Sequence, residues 1–287
     1  MSATNSISAD KLFRLIGTTN CPTIVDVRPD ADGLLPAAIR RPAETVRNWA
    51  GALAGQKLVV FCVHGHERGA GVAAILRSEG VDAETLEGGF TAWRDAGLPV
   101  IDAAKLPEPD PAGRTVWVTR ARPKVDRIAC PWLIRRFVDP EAQFLFVAPS
   151  EVAGVAERFG AAPFDVDGVF WSHRGENCSF DTMVAEFGLG GFEALQRLAV
   201  IVRGADTAHP EIAPQAAGLL AASLGLSRMY ADDHQQLEAG MLIYDAFYRW
   251  CRDAVDETHD WVSHQPRAIS SRVDPATRKS RQEEVRA

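Results

Sequence analysis

The segment from Leu58 to Ser78 most strongly constrains the fold, because it joins an apolar strand to a glycine-rich loop and then to a helix. Leu58 to Cys62 (LVVFC) contains no polar residue at alternate positions, which is typical of a strand buried on both faces of a sheet. Ala70 to Ser78 (AGVAAILRS) has the composition of a helix. A buried strand followed by a helix predicts a parallel sheet, since parallel strands need long crossover connections.

The same alternation extends over the N-terminal third of the chain. The sequence predicts a helix over residues 9–17, a buried strand from Thr23 to Val27 and a further strand from Ala83 to Leu86. We therefore predict an α/β N-terminal domain in which helices cover both faces of a parallel sheet.

Three prolines, Pro107, Pro109 and Pro111, mark the clearest boundary in the chain, because proline lacks a backbone donor and disfavours helix before it. We predict one domain over residues 1–104, a linker over 105–113, a second domain over 114–265 and a flexible tail over 266–287.

The second domain is predicted to be mostly helical α+β. Thr115 to Thr119 and Gln143 to Val147 are predicted strands, and Pro131 suits the first position of a helix that ends before Pro140. An apolar stripe at helical spacing indicates a buried helix face, and its members are Leu237, Met241, Tyr244, Tyr248 and Cys251.

Composition excludes several classes of protein. A net charge of −7 argues against a general nucleic-acid-binding protein, since phosphate neutralisation needs clustered cations. The five cysteines are widely spaced and odd in number, which does not fit a disulfide framework and favours a reducing, cytoplasmic location. No apolar run reaches the ~18 residues that a membrane span needs, so we expect no membrane partner.

The loop that follows the strand at Cys62 carries the first candidate site. Loops in this position point backbone N–H groups inward, and the following helix adds its positive end. Both effects favour a thiolate, the form of cysteine that attacks sulfur. A buried strand-end thiol with no chemistry is the alternative interpretation. The predicted anion-binding residues of the loop are Val63, His64, Gly65, His66, Glu67 and Arg68.

Four segments in order resemble the rhodanese (sulfurtransferase) superfamily over roughly residues 8–101. They are Ile24 to Arg28 with an Asp-x-Arg signature, Gly33 to Ile39, the six-residue loop Cys62 to Glu67, and Leu86 to Phe90 with Trp93. The resemblance implies that Cys62 carries sulfur as a persulfide, with thiosulfate or a thiol persulfide as the donor. Val63 occupies a position at which the family often has Arg.

Two clusters stand out after the linker. Arg122, Lys124 and Arg127 lie within six residues of one another, which favours either an oxyanion site or a solvated basic surface. The second cluster offers ligands for a divalent metal such as zinc or iron, or else forms a hydrogen-bonded structural group. Its candidate ligands are His173, Cys178, Asp181, Asp206 and His234.

Residues 114–255 resemble the C-terminal domain of the chromate resistance protein B family. The resemblance rests on Lys124 to Phe137, on Ser172 to Asp181 and on Ile201 to Asp206. It implies a role in chromate resistance through the handling or sensing of an oxyanion or a metal, with chromate or sulfate as candidate ligands.

The sequence therefore predicts a sulfurtransferase domain coupled to a domain for chromate resistance. The alternative is a non-catalytic chromate or redox sensor in which the rhodanese-like module is degenerate.

Overall fold

Five parallel strands form the main sheet in the computed structural model of the chain, which describes residues 5–31 and 33–257. Their order across the sheet is β1-β6-β5-β2-β4, so that β5 is the central strand. A two-stranded antiparallel pair, β3 with β7, lies beside it. The strands of this half are β1 (Ser6–Ile7), β2 (Thr23–Asp26), β3 (Gly33–Leu34), β4 (Ala38–Arg40), β5 (Lys57–Phe61), β6 (Asp82–Leu86) and β7 (Ile101–Asp102).

Helices cover both faces of this sheet. Side chains that alternate along β5 enter two different cores: Val59 and Phe61 pack on one face, and Leu58 and Val60 on the other. This alternation is what a parallel sheet buried on both faces requires. The helices are α1 (Ala9–Phe13), α2 (Val46–Trp49), α3 (Glu67–Ser78) and α4 (Gly89–Asp95).

The C-terminal half is largely helical and contains a small parallel sheet of order β10-β8-β9. Its strands are β8 (Val116–Arg120), β9 (Gln143–Val147) and β10 (Ala162–Pro163). Its helices are α5 (Asp126–Leu133), α6 (Val152–Phe159), α7 (Ser179–Glu186), α8 (Glu193–Asp206), α9 (Ala216–Met229) and α10 (Asp233–Asp253). Single 3₁₀ turns occur at Ala43–Thr45, Ala50–Leu53, Ala103–Lys105, Pro149–Glu151, Leu189–Gly191 and Pro210–Ile212.

The predicted fold classes of both halves are confirmed. The apolar stripe of α10 is buried along its whole length. The expectation for Pro131 is wrong, because α5 begins at Asp126, contains Pro131 and continues as a π-helical turn over Ile134–Val138. Complete burial of Trp132 and Leu133 outweighs the one helical hydrogen bond that proline cannot donate.

One continuous hydrophobic core spans both halves. It contains Leu12 and Trp93 from the first half together with Trp132 and Phe137 from the second. The Phe137 carbonyl also accepts a hydrogen bond from the Ala37 amide at 2.7 Å. The predicted linker is irregular in structure, and Leu106 within it packs against this core.

The predicted tail over 266–287, and the last residues of the predicted second domain from 258 onward, lie outside the described residues. Within the described ranges, every helix is too short or too polar to cross a bilayer.

Because the core is shared, we expect the two halves to unfold together. Phe137→Ala should lower the free energy of unfolding by about 3–5 kcal/mol, and Phe159→Ala, which removes an exposed ring, should change it by less than about 0.5 kcal/mol. Urea denaturation followed by tryptophan fluorescence and by circular dichroism measures both. Two separate transitions in the parent protein would contradict a shared core.

Candidate functional site

Cys62 lies directly after the central strand β5, at the base of a loop that leads into α3. Its side chain is buried, whereas the side chains of Val63, His64 and His66 are exposed around it. The Cys62 Sγ donates a long hydrogen bond to the His66 carbonyl oxygen at 3.9 Å. The loop therefore curls over the sulfur atom and leaves its own side chains at the surface.

The start of α4 holds this loop in place. The Phe90 amide donates to the Cys62 carbonyl oxygen and the Thr91 amide donates to the Val63 carbonyl oxygen, each at 2.9 Å. The Thr91 hydroxyl also lies 3.1 Å from His64 Nδ1. These contacts hold the segment around Gly88 and Gly89 against the cysteine loop, although the two segments are separated in the sequence.

Glycine is required where the loop meets this segment. Gly65 and Gly89 have φ angles of 72° and 61°, in the left-handed region. A Cβ atom at Gly89 would lie 2.4 Å from the Cys62 carbonyl oxygen, and one at Gly65 would lie 2.8 Å from the Gly89 nitrogen. At Gly69 a Cβ atom would approach Cys62 Sγ to 3.3 Å. The absence of side chains lets three backbone segments surround the sulfur.

Backbone N–H groups near Cys62 are available to a ligand. Within residues 5–31 and 33–257, no protein atom accepts a hydrogen bond from the amides of residues 64–69. The N-terminus of α3 has no side-chain cap at His66. Unpaired amides at the start of a helix form a binding site for anions. A negative sulfur atom, or an anion bound to it, fits this position.

The charged side chains of the loop add less positive potential than their number suggests. Arg68 is paired with Glu44 at 2.6 Å, and Glu67 is exposed. The rings of His64 and His66 lie side by side, with centroids 6.2 Å apart. The charge of Arg68 is therefore already compensated and adds little positive potential at Cys62.

The predicted basic cluster does not form a common pocket. Arg122 donates to the carbonyl oxygens of Ser227, Tyr230 and Ala231, so its guanidinium already has partners. Arg127 donates to the carbonyl oxygens of residues 120 and 121 and forms an ion pair with the carboxylate of Asp165. Lys124 is exposed. The two arginines serve the framework of the C-terminal half.

Three potential metal ligands meet at His173. Its Nε2 lies 3.2 Å from Asp206 Oδ2, 3.4 Å from Asp165 Oδ1 and 3.7 Å from Asp126 Oδ2. Ligand atoms of Asp126, His173 and Asp206 all lie within 4.8 Å of one another. Of the predicted ligands, the structure thus brings His173 and Asp206 together, and it adds Asp126 and Asp165.

Asp126 is the most buried member of this group. Its Oδ2 accepts hydrogen bonds from the Ser179 amide at 2.6 Å and the Phe180 amide at 3.3 Å, at the N-terminus of α7. Burial, together with the carboxylates of Asp206 and Asp165, raises the pKa of Asp126 well above its usual range. Burial and the Asp165 carboxylate also raise the pKa of Asp206. The group therefore carries more negative charge than its surroundings stabilise.

The backbone that leads into Asp126 is strained. Val125 has a φ angle of 37°, which is rare for a β-branched residue. Its amide donates to Ser223 Oγ at 2.9 Å, and its carbonyl accepts from the Tyr244 hydroxyl at 3.0 Å. Both hydrogen bonds are buried, and they hold the start of α5.

Among the described residues, the group whose ligand atoms lie close enough to share an ion does not include the other predicted ligands. Cys178 and Asp181 form the capping box of α7, in which the thiol donates to Asp181 Oδ2 at 3.3 Å. Burial, with the carboxylates of Asp126 and Asp181 nearby, raises the pKa of the Cys178 thiol, so it stays protonated. His234, in the first turn of α10, packs against Phe146.

Sequence reasoning missed Asp126 and Asp165. The sequence around Asp126 could have indicated a buried carboxylate, because this charged residue is followed by the apolar segment Ile128 to Leu133. A carboxylate at such a position needs a partner. Asp165 had no comparable signal, since it lies in an irregular loop between β10 and α7.

Substitution of Gly89 should disrupt the cysteine loop. Gly89→Ala forces a left-handed backbone on alanine and places a methyl group against the Cys62 carbonyl oxygen. We therefore expect the free energy of unfolding to fall by more than about 1 kcal/mol. We also expect iodoacetamide to alkylate Cys62 more slowly. Gly71→Ala is the matched control, because that glycine lies in α3 with open space around it. Alanine there should raise the free energy of unfolding by up to about 1 kcal/mol. Equal effects of the two variants on unfolding and alkylation would contradict this account.

Comparisons with known proteins match two separate segments of the chain. The model of the rhodanese-like domain matches residues 8–96, and the model of the ChrB C-terminal domain matches residues 117–251. Protein ChrB of Cupriavidus metallidurans is 31% identical over 198 residues. That match covers 63% of this chain and 58% of the relative.

Solved structures similar to the chain match its first third. A rhodanese-related protein from Thermoplasma volcanium is 29% identical, covers 34% of this chain and 97% of its own, and has a TM-score of 0.31. A rhodanese-like domain protein from Staphylococcus aureus is 32% identical, covers 31% of this chain and 91% of its own, and has a TM-score of 0.30. Both family resemblances predicted from the sequence motifs are confirmed by the family models. The chain joins a rhodanese-like domain to a ChrB C-terminal domain.

Proposed function

We propose that the protein is a sulfurtransferase whose Cys62 accepts a sulfane sulfur and passes it on as a persulfide. The observation that carries this proposal is the set of amides at residues 64–69, which follow the end of β5 and have no protein acceptor in the part of the chain that the structure describes. An outer sulfur attached to Cys62 would be negatively charged and would lie among these donors.

The chemistry needs only the thiolate and a donor. The Cys62 thiolate attacks the outer sulfur of thiosulfate, the S–S bond of thiosulfate breaks, and sulfite leaves with the electron pair. Cys62 then bears a persulfide, which a nucleophile such as cyanide or a thiolate attacks at its outer sulfur, returning the Cys62 thiolate. With a thiol persulfide as the donor, the leaving group is the corresponding thiolate.

The other cysteines support the choice of Cys62. Burial raises the pKa of Cys21 to about 12 and that of Cys251 to about 11. Burial also raises the pKa of Cys130 and Cys178. Because the thiolate is the reactive form, these four thiols should be inert at neutral pH.

The ChrB C-terminal domain suggests the setting in which sulfur transfer acts. We propose that the protein contributes to chromate resistance, with the C-terminal domain handling an oxyanion or a metal. Chromate, sulfate and thiosulfate are tetrahedral anions or close relatives of them, so one arrangement of backbone donors can receive any of the three. The divalent metal expected in the C-terminal half, zinc or iron, belongs to this proposal and rests on the carboxylates around His173.

A second candidate function is a non-catalytic sensor of chromate or redox state. It is favoured by Val63, which offers no charge beside the cysteine, and by the Arg68–Glu44 ion pair, which occupies the nearest arginine of the loop. A protein that binds an anion at Cys62 without turnover would need no more than the amides.

Treatment with thiosulfate or with a thiol persulfide should add one sulfur atom to Cys62. Intact-mass and peptide mass spectrometry measure the adduct, and release of thiocyanate on addition of cyanide measures turnover. Cys62→Ser should abolish both, and Cys21→Ser should leave both unchanged. An anion-dependent rise in melting temperature without any adduct would favour the sensor, and an adduct on another cysteine would contradict the proposal.

Expression of the chain in a chromate-sensitive bacterium should raise survival on chromate. If sulfur transfer serves this role, Cys62→Ser should bring survival back toward that of the empty vector, and Cys21→Ser should not, at equal protein levels. Full protection by Cys62→Ser would remove sulfur transfer from chromate resistance while leaving the persulfide measurement above unaffected.

A further inference from the structure

We propose that Asp126, Asp165, His173 and Asp206 together bind one divalent metal ion, through three carboxylate oxygens and one imidazole nitrogen. This inference rests on the metal proposed for the C-terminal domain and goes beyond it by naming the complete set of protein ligands. It also excludes the thiolate of Cys178, which the sequence suggested as a ligand.

The spacing of the four side chains suits a shared ion. Donor atoms around one first-row metal lie about 2.0–2.2 Å from it, and therefore about 3–4 Å from one another. His173 Nε2 lies 3.2–3.7 Å from one oxygen of each of the three carboxylates. Asp126, His173 and Asp206 offer ligand atoms that all lie within 4.8 Å of one another, and a shift of the Asp165 carboxylate toward this group would complete the set.

The balance of charge also favours a cation. Arg120 and Arg127 each lie 3.3 Å from Asp165 Oδ2 and compensate that carboxylate. In the part of the chain that the structure describes, neither Asp126 nor Asp206 forms an ion pair with lysine or arginine. Two carboxylates thus face His173 without a permanent positive partner, and buried carboxylates without such a partner are costly.

An unpartnered oxygen is the independent observation that points to a ligand. Asp126 is fully buried, and its Oδ1 has no hydrogen-bond partner although Oδ2 has two. Buried polar atoms are almost always satisfied, so an orphaned carboxylate oxygen beside three other ligand groups indicates an ion.

The donor set defines the class of ion. Three oxygens and one nitrogen suit a borderline or hard divalent cation such as Mn²⁺ or Fe²⁺, and Zn²⁺ also accepts these ligands. A thiolate site is not formed, because the Cys178 thiol keeps its proton and donates a hydrogen bond to Asp181. The His173 side chain is 41% exposed, so the ion can enter from solvent on that side.

An ion at this point would link segments that are distant in the sequence. Asp126 is the first residue of α5, Asp206 is the last residue of α8, and the other two ligands come from the loop between β10 and α7. Metal binding should therefore stabilise the whole folded chain by mass action, since the unfolded chain cannot hold these groups together.

The test uses the full chain after dialysis against a chelator. Mn²⁺ alone is added, binding is measured from the loss of the free-ion electron paramagnetic resonance signal, and Zn²⁺ is then added as a competitor. The parent protein should bind one Mn²⁺ per chain, Zn²⁺ should displace it, and either ion should raise the melting temperature by several degrees. Asp165→Asn, Asp206→Asn and His173→Ala should each weaken binding at least tenfold and remove most of the thermal shift.

Asp167→Asn is the matched control, because this exposed carboxylate lies in the same loop as Asp165 and His173 and is not a ligand, and Cys178→Ser tests the excluded thiol. Both should bind Mn²⁺ and Zn²⁺ as the parent does, and circular dichroism checks that every variant is folded. Binding that survives in Asp165→Asn but fails in Asp206→Asn would overturn the four-ligand set and leave the simpler metal proposal intact. Loss of binding in Cys178→Ser, or no binding of either ion by the parent protein, would overturn the site itself.

Discussion

Burial of β5 on both faces is the constraint on which the N-terminal half depends. Leu58 and Val60 fill one core and Val59 and Phe61 fill the other, so the strand can expose chemistry only where it ends. Cys62 occupies that end, and the chain must turn sharply there to reach α3. The turn leaves the amides of residues 64–69 without a protein acceptor among the described residues, so the place of this candidate site in the chain follows from the packing of the sheet.

The two domains are less independent than the proline-rich boundary suggests. Phe137 of the ChrB domain belongs to the same core as Trp93 of the rhodanese-like domain, and its carbonyl binds the Ala37 amide. Arg41 and Glu141 form an ion pair between the same two regions. Loss of packing in one half should therefore lower the stability of the other half as well.

Apolar periodicity and motif order predicted the parts of the structure that depend mainly on residues close together in the sequence. The strands at Thr23 and Leu58 and the stripe from Leu237 to Cys251 follow from apolar periodicity, and the cysteine loop follows from the order of its motifs. The sequence did not reveal that Asp126 and Asp165 approach His173, because that contact depends on the packing of distant segments. Arg122 shows the same limit: its charge suggested a ligand, and its actual partners are backbone carbonyls about a hundred residues away.

The strained backbone at Val125 makes the position of Asp126 depend on helices that lie outside the acidic group. A β-branched residue at positive φ stores about 1–3 kcal/mol of conformational strain, and here Ser223 of α9 and Tyr244 of α10 hold it in place. These helices contribute no ligand, yet they fix the direction in which α5 starts and hence the position of the Asp126 carboxylate. Substitutions in α9 or α10 that remove these two hydrogen bonds should therefore shift the Asp126 carboxylate, although neither helix contributes a member of the acidic group.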